Sequence, residues 1–208
     1  MVGGQGVLVG EDGIARCWWC AEDPLYRSYH DQEWGRPVGD DRHLFEKLSL
    51  EGFQSGLSWL TILRKRGSFR RAFADFDVDL VAAFDDGDIQ RLMEDRGIVR
   101  NRAKIAATIN NARRCRELVD EVGSLARFIW RFEPKQRSEG IAYDALLEMT
   151  VTAESKALSK ELRRRGWAFV GPTTAYAFMQ STGLVNDHLV GCEARDRVAR
   201  ERGAFTRP

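Results

Sequence analysis

Apolar residues recur at helical spacing along most of the chain, and strict alternation of the kind a half-buried strand needs is scarce. Asp40 is a suitable N-cap, and Leu44, Phe45 and Leu48 carry a helix over 40–52. Glu51 falls seven residues after Leu44 and three after Leu48, so a carboxylate shares that apolar face. A second helix is expected within 56–65, with Leu57, Leu60 and Ile62 or Leu63 inward. Asp77 and Asp85 cap short helices at 78–84 and 88–93, and Asp88 follows Asp85 at the spacing of a capping box. From Asn101, the set Ile105, Ile109, Ala112, Cys115 or Arg116, and Val119 marks a long amphipathic helix. Further helices are predicted at 125–130, at 155–165 closed by Gly166, and at 173–182 after Pro172. The segment 17–34 holds five Trp or Tyr with no clear period and reads as short turns. The pattern predicts an all-α fold of eight or more short helices.

Glycines make 1–15 read as a flexible tail, 133–140 is a polar loop, and 195–208 is expected to trail off as a C-terminal tail. One compact helical domain then spans 16–194. The chain has 208 residues and is 43% apolar, enough for a sizeable core. Thirty-two basic residues nearly cancel 31 acidic ones, so net charge (+1) selects no partner. Four cysteines do not make a disulfide scaffold. No apolar run reaches the ~20 residues of a spanning helix. The start lacks the basic and apolar regions of a secretion signal. Reduced thiols, a cytoplasmic location and no membrane partner are expected.

Charge distribution says more than net charge. Residues 91–116 carry eight Arg or Lys against two acids, 156–165 carry five against one, and 70–90 contain six Asp. This fits a nucleic-acid footprint and equally fits ordinary solvated faces. Within it, the turn "RGIVRNRAK" places Gly97 before a helix N-terminus with Arg100, Arg102 and Lys104, a combination able to hold phosphate.

Two further clusters carry candidate chemistry. His188 and Cys192 lie four apart, and Cys17 and His30 supply a second imidazole and sulfur, together a tetrahedral zinc set. Such an ion would staple the N-terminal to the C-terminal segment. Buried free thiols are the alternative, and Cys20 competes with Cys17 for the role. The spacing in "CWWC" is that of a redox pair, but no βαβ pattern surrounds it. Glu51 is either a helix-end acid, a partner of a buried arginine, or a pocket acid that accepts hydrogen bonds from a ligand. Trp18, Trp19, Tyr26, Tyr29, Trp34 and Trp59 could wall such a pocket, as stacking platforms with a negative face toward a cation, or simply pack a core.

Four stretches, "RCWWCAEDPLYRSYHDQEWG", "LFEKLSLEGFQSGLSWLTILRKR", "GIVRNRAKIAATINNA" and "ALSKELRRRGWAFVGPTTAYAFMQSTGLVNDHLVGC", resemble the 3-methyladenine DNA glycosylase I family of bacterial base-excision repair enzymes. They occur in family order over roughly 16–192. The resemblance implies a helix-hairpin-helix DNA glycosylase fold with a structural zinc on Cys17, His30, His188 and Cys192, leaving Cys20 a bystander. It implies Glu51 as the base-recognising acid, Trp19, Tyr26, Tyr29, Trp34 and Trp59 as pocket aromatics, and Gly97, Arg100, Arg102 and Lys104 in a DNA-binding hairpin at 97–104. It further implies a monomeric, monofunctional enzyme. Its substrate would be double-stranded DNA carrying 3-methyladenine, and its products the free base and an abasic site. Many enzymes of the superfamily carry an aspartate downstream of the hairpin. Here "VRNRAKIAATINNARR" has none before Asp120, which suits a cationic, weakly held leaving base.

Overall fold

The computed structural model describes residues 6–20, 23–135 and 140–208. Residues 1–5 of the expected tail, 21–22 of the aromatic segment and 136–139 of the expected loop lie outside it.

From residue 6 to 17 the structure corrects the expectation of a flexible tail. Strands β1 (Val7–Val9) and β2 (Ala15–Cys17) pair antiparallel, with Val7 opposite Cys17 and Val9 opposite Ala15. The glycines read as looseness shape the turn: Gly13 has φ +75°, and its N–H donates to Gly10 O at 2.9 Å. Arg16 pins the hairpin by binding Asp12 and Asp31. Val7 is buried with Cys17, Leu189 and Cys192.

Helix α1 (Pro24–Gln32) stands where irregular turns were expected. The Asp23 side chain accepts from Leu25 and Tyr26 N–H, and Pro24 supplies a first-turn residue whose missing N–H costs nothing. Helix α2 (Asp41–Gln54) is capped by Asp40 as predicted and buried at every position from 44 to 53. Helix α3 (Trp59–Ala72) starts later and runs longer than expected. Ser58 caps it, so Leu57 falls in the preceding turn and is 42% exposed rather than inward. A left-handed turn, Ala74–Phe76, leads to α4 (Val78–Ala82) and α5 (Asp86–Glu94); the Asp85–Asp88 capping box is present. Helix α6 (Arg102–Val122) is capped by Asn101 and turns Cys115, not Arg116, into the core.

Helix α7 (Leu125–Ile129) precedes α8 (Tyr143–Glu148), α9 (Ala153–Arg164), α10 (Pro172–Ser181) and α11 (Glu193–Ala204). The last replaces the expected tail after 194. Its sequence is too polar to show a stripe, yet Arg202 is buried, donating to Glu133 at 2.8 Å and to Leu184 O at 2.9 Å. The fold is all-α apart from the small hairpin. Helix α2 runs through the core against α3, α6, α7 and α10. Among the described residues no helix is long and apolar enough to cross a membrane.

Candidate active site and metal centre

Helices α1, α2 and α3 meet the turn at Trp18–Cys20 around a cavity of about 330 Å³. Trp19, Tyr26, Tyr29, Trp34 and Trp59 line it together with Glu51. Their rings form a continuous wall: centroids lie 4.8 Å apart for Trp19 and Tyr26, 5.0 Å for Trp19 and Trp34, and 5.4 Å for Tyr29 and Trp59. Leu146, Leu147 and Met149 at the end of α8 and Gln180 of α10 close the other side, a contribution with no signal in the sequence. Trp18 also reaches the cavity, but its ring packs edge-on against Tyr143 at 4.9 Å.

Glu51 is 5% exposed and forms no ion pair with an arginine among the described residues. Burial pushes its carboxyl up to about 7, against the opposing pull of the Lys47 charge and of a hydrogen bond with Ser181. Lys47 is the residue that sequence reasoning missed. It lies four positions before Glu51 and is 1% exposed. Its ammonium donates to Tyr29 OH at 3.3 Å and stands 3.7 Å from Glu33 Oε2. It also lies 4.4 Å from the Tyr29 ring centroid and 5.3 Å from that of Trp59. Burial draws it down to about 8, with Glu33 opposing. The i, i+4 spacing on an apolar face was the available signal.

Behind Trp34 lies the second cluster. Cys17, His30, His188 and Cys192 are all buried, and their ligand atoms lie within 4.8 Å of one another. Cys192 Sγ is 3.5 Å from His30 Nε2 and 3.6 Å from His188 Nδ1, and Cys17 Sγ is 4.0 Å from His188 Nδ1. Usual zinc–sulfur and zinc–nitrogen bond lengths give ligand-to-ligand distances of about 3.3–3.8 Å in a tetrahedron; the two Cys192 distances match these, and Cys17 stands slightly further out. The outward nitrogens are oriented as zinc ligands require: His30 Nδ1 meets Asp31 Oδ1 at 2.8 Å, and His188 Nε2 meets Trp34 O at 3.0 Å. Among the protein groups alone the sulfurs compete. A hydrogen bond from Cys17, with help from both imidazoles, favours the Cys192 thiolate, and that anion pushes the Cys17 thiol up. A divalent cation removes the conflict. The cluster is able to coordinate a structural zinc ion joining the N- and C-terminal segments. Cys20 stays outside it, with its thiol on Cys17 O at 3.2 Å.

The profile of the family described as methyladenine glycosylase matches residues 19–196. The chain belongs to this family. It is 48% identical over 179 residues to DNA-3-methyladenine glycosylase 1 of Escherichia coli (strain K12), covering 86% of this chain and 96% of that protein. It is 44% identical over 180 residues to DNA-3-methyladenine glycosylase of Haemophilus influenzae, covering 86% and 97%. A crystal structure of 3-methyladenine DNA glycosylase I superposes with a TM-score of 0.80 at 46% identity, over 86% of this chain and 98% of that one. A variant of such an enzyme in complex with 3-methyladenine gives 0.79 at 37% identity, over 85% and 95%.

The hairpin expected at 97–104 falls on the turn between α5 and the start of α6. Much of the basic excess in 91–116 is used internally. Arg91 pairs with Asp88, Arg114 with Glu117 and Arg116 with Asp79, and Arg113 donates to Ala82 O and Phe84 O. Arg96, Arg100 and Arg102 are exposed and form no ion pair among the described residues, which concentrates free charge in the turn. Lys104 is a correction. It is 7% exposed, and its amine donates inward to Phe53 O at 2.8 Å and Ser55 O at 2.5 Å. Those carbonyls end α2 without helical partners, which is why the amine turns inward. Gly97 is needed for a close approach, but to protein: a Cβ there would meet Ser68 at 2.9 Å. Its N–H is taken by Asp95 at 2.7 Å.

Proposed function

We infer that the protein is a monofunctional DNA glycosylase that hydrolyses the N-glycosidic bond of 3-methyladenine in alkylated double-stranded DNA and leaves an abasic site. The observation that carries this reading is a buried carboxylate, Glu51, inside an aromatic cavity, in a chain that follows the methyladenine glycosylase family over most of its length.

The target nucleotide is extruded from the stack into the cavity. N3-methylation gives the base a positive charge, so it stacks favourably on Trp19, Trp59 and the tyrosines and leaves with little acid assistance. Glu51 accepts a hydrogen bond from the exocyclic amine or a ring N–H of the purine. An unmodified adenine lacks the charge that these contacts reward, which supplies discrimination. Water then attacks C1′ of the oxocarbenium-like sugar. Lys47 does not line the cavity and its amine is held by Tyr29 and Glu33, which supports hydrolysis without strand cleavage by an amine. Arg100 and Arg102, with Arg96 and the first-turn amides of α6, would grip phosphates. Leu57, exposed beside Gly56 at φ +81°, is shaped to fill the space a flipped nucleotide leaves. Zinc supplies structure only. The enzyme acts as a monomer, and its reduced thiols suit the cytoplasm.

The test is release of free bases from methylated DNA by the wild type beside Glu51→Gln. Release of 3-methyladenine by the wild type and a large loss in the variant are expected. DNA binding with no base released would leave a zinc-stapled DNA-binding protein instead. Comparing 3-methyladenine with 3-methylguanine defines the substrate range.

A further inference from the structure

We propose that Phe169 is a second DNA-inserting side chain, an aromatic wedge that stacks on bases next to the flipped nucleotide; this rests on the glycosylase reading above. Two independent features of the loop between α9 and α10 lead there.

The first is its backbone. Phe169 has φ +56°, and outside the turn at Ala74–Phe76 it is the one non-glycine residue with positive φ among the described residues. A bulky residue in the left-handed region is strained, and glycine or asparagine would serve a mere connection better. The ring gains little in exchange, since the residue is 39% exposed. The conformation is imposed from both sides. The Asn111 side chain donates to Ala168 O and accepts from Ala168 N–H, both at 2.9 Å. Asn110 donates to Gly166 O at 2.9 Å, and Ser159 to Val170 O at 2.7 Å. Trp167 and Val170 are buried on either side. Strain that the surroundings over-determine, around an apolar side chain left outside, is what a displayed contact residue requires.

The second feature is location. A Cβ on Gly52 would meet Phe169 Cβ at 3.4 Å and its carbonyl oxygen at 3.5 Å, so the loop lies on the last turn of α2. Lys104 and Thr108 of α6 border the same small depression. Phe169 therefore sits beside the α2 end that leads to Leu57 and beside the start of the hairpin helix. On the glycosylase reading the duplex lies over the elements that carry Leu57 and Arg102, and Phe169 stands next to both elements. A lone benzene ring among such contacts suits the π-face of a nucleobase or an opened base step.

The experiment uses Phe169→Gly, which accepts positive φ, and Phe169→Trp, which keeps a stacking ring. For the glycine variant, an unchanged or raised melting temperature and unchanged affinity for free 3-methyladenine are expected. Its single-turnover excision from duplex DNA should fall at least about fivefold, with weaker duplex binding, and the tryptophan variant should restore both. Wild-type excision and duplex affinity in the glycine variant would overturn the proposal. So would a drop in melting temperature together with lost base affinity, which would mark a structural role, or self-association of the wild type that Phe169→Gly abolishes. A wild type that releases no base at all would instead overturn the glycosylase reading.

Discussion

Lys47 precedes Glu51 by one turn of α2, and both side chains are buried. With Glu51 raised to about 7 and Lys47 lowered to about 8, the window in which both are charged is narrow. The carboxylate form accepts hydrogen bonds, so excision should rise with pH through about 7. Lys47 pulls the Glu51 value down, so Lys47→Met should move that acid limb to higher pH while Lys47→Arg leaves it nearer its place. Glu33, Glu46 and Arg66, the other charges acting on Lys47, are unchanged in both variants. Single-turnover pH profiles are the measurement, and a limb that stays put in Lys47→Met refutes the coupling.

The same carboxyl has a stability consequence. It binds its proton more tightly folded than unfolded, so stability should decline as pH rises from the ordinary value of 4.5 to about 7. Glu51→Gln should flatten that decline in denaturant titrations. It should also slow excision on the order of 10- to 100-fold, the weight of one buried hydrogen bond to a charged group. Base affinity, followed by calorimetry with free 3-methyladenine, should fall with it.

The metal cluster and the cavity share Trp34, whose carbonyl accepts from His188 and whose ring lies 4.7 Å from that imidazole. Elemental analysis should give one zinc per chain. Chelation or Cys192→Ser should lower the melting temperature and, through Trp34, weaken affinity for free 3-methyladenine as well. Full base affinity in a zinc-free protein would show that the two sites are independent.

At the hairpin, exposed and buried cations should behave differently. Arg100→Glu or Arg102→Glu should weaken duplex binding across sequences and reduce the slope of log affinity against log salt by about 1 for each phosphate no longer neutralised. Lys104→Met should leave that slope alone and lower thermal stability, because it removes the amine from two α2 carbonyls. Equal salt slopes for Lys104→Met and Arg102→Glu would contradict this division.

Much of this architecture was legible where local chemistry and period agree. Asp40, Asp85 with Asp88, and Asn101 sit before amphipathic runs, and each caps the helix expected of it. Glu51 stood out as a carboxylate on an apolar face. Helix α1 carried its own signal in Asp23–Pro24, but Leu25, Tyr26 and Tyr29 are too few apolar positions to mark a stripe. Helix α11 buries little beyond Ala194, Val198 and the stem of Arg202, too few to mark a face. The i, i+4 spacing to Glu51 marked Lys47, but its role depends on Tyr29 and Glu33 arriving from a distant segment. A basic cluster likewise looks the same whether its amines point outward, as at Arg102, or inward, as at Lys104.

That inward amine has a mechanical consequence. Lys104 clamps the first turn of α6 to Phe53 and Ser55, two and four residues beyond Glu51. A load placed on this turn would reach the end of α2, the helix that carries Glu51, through these two hydrogen bonds.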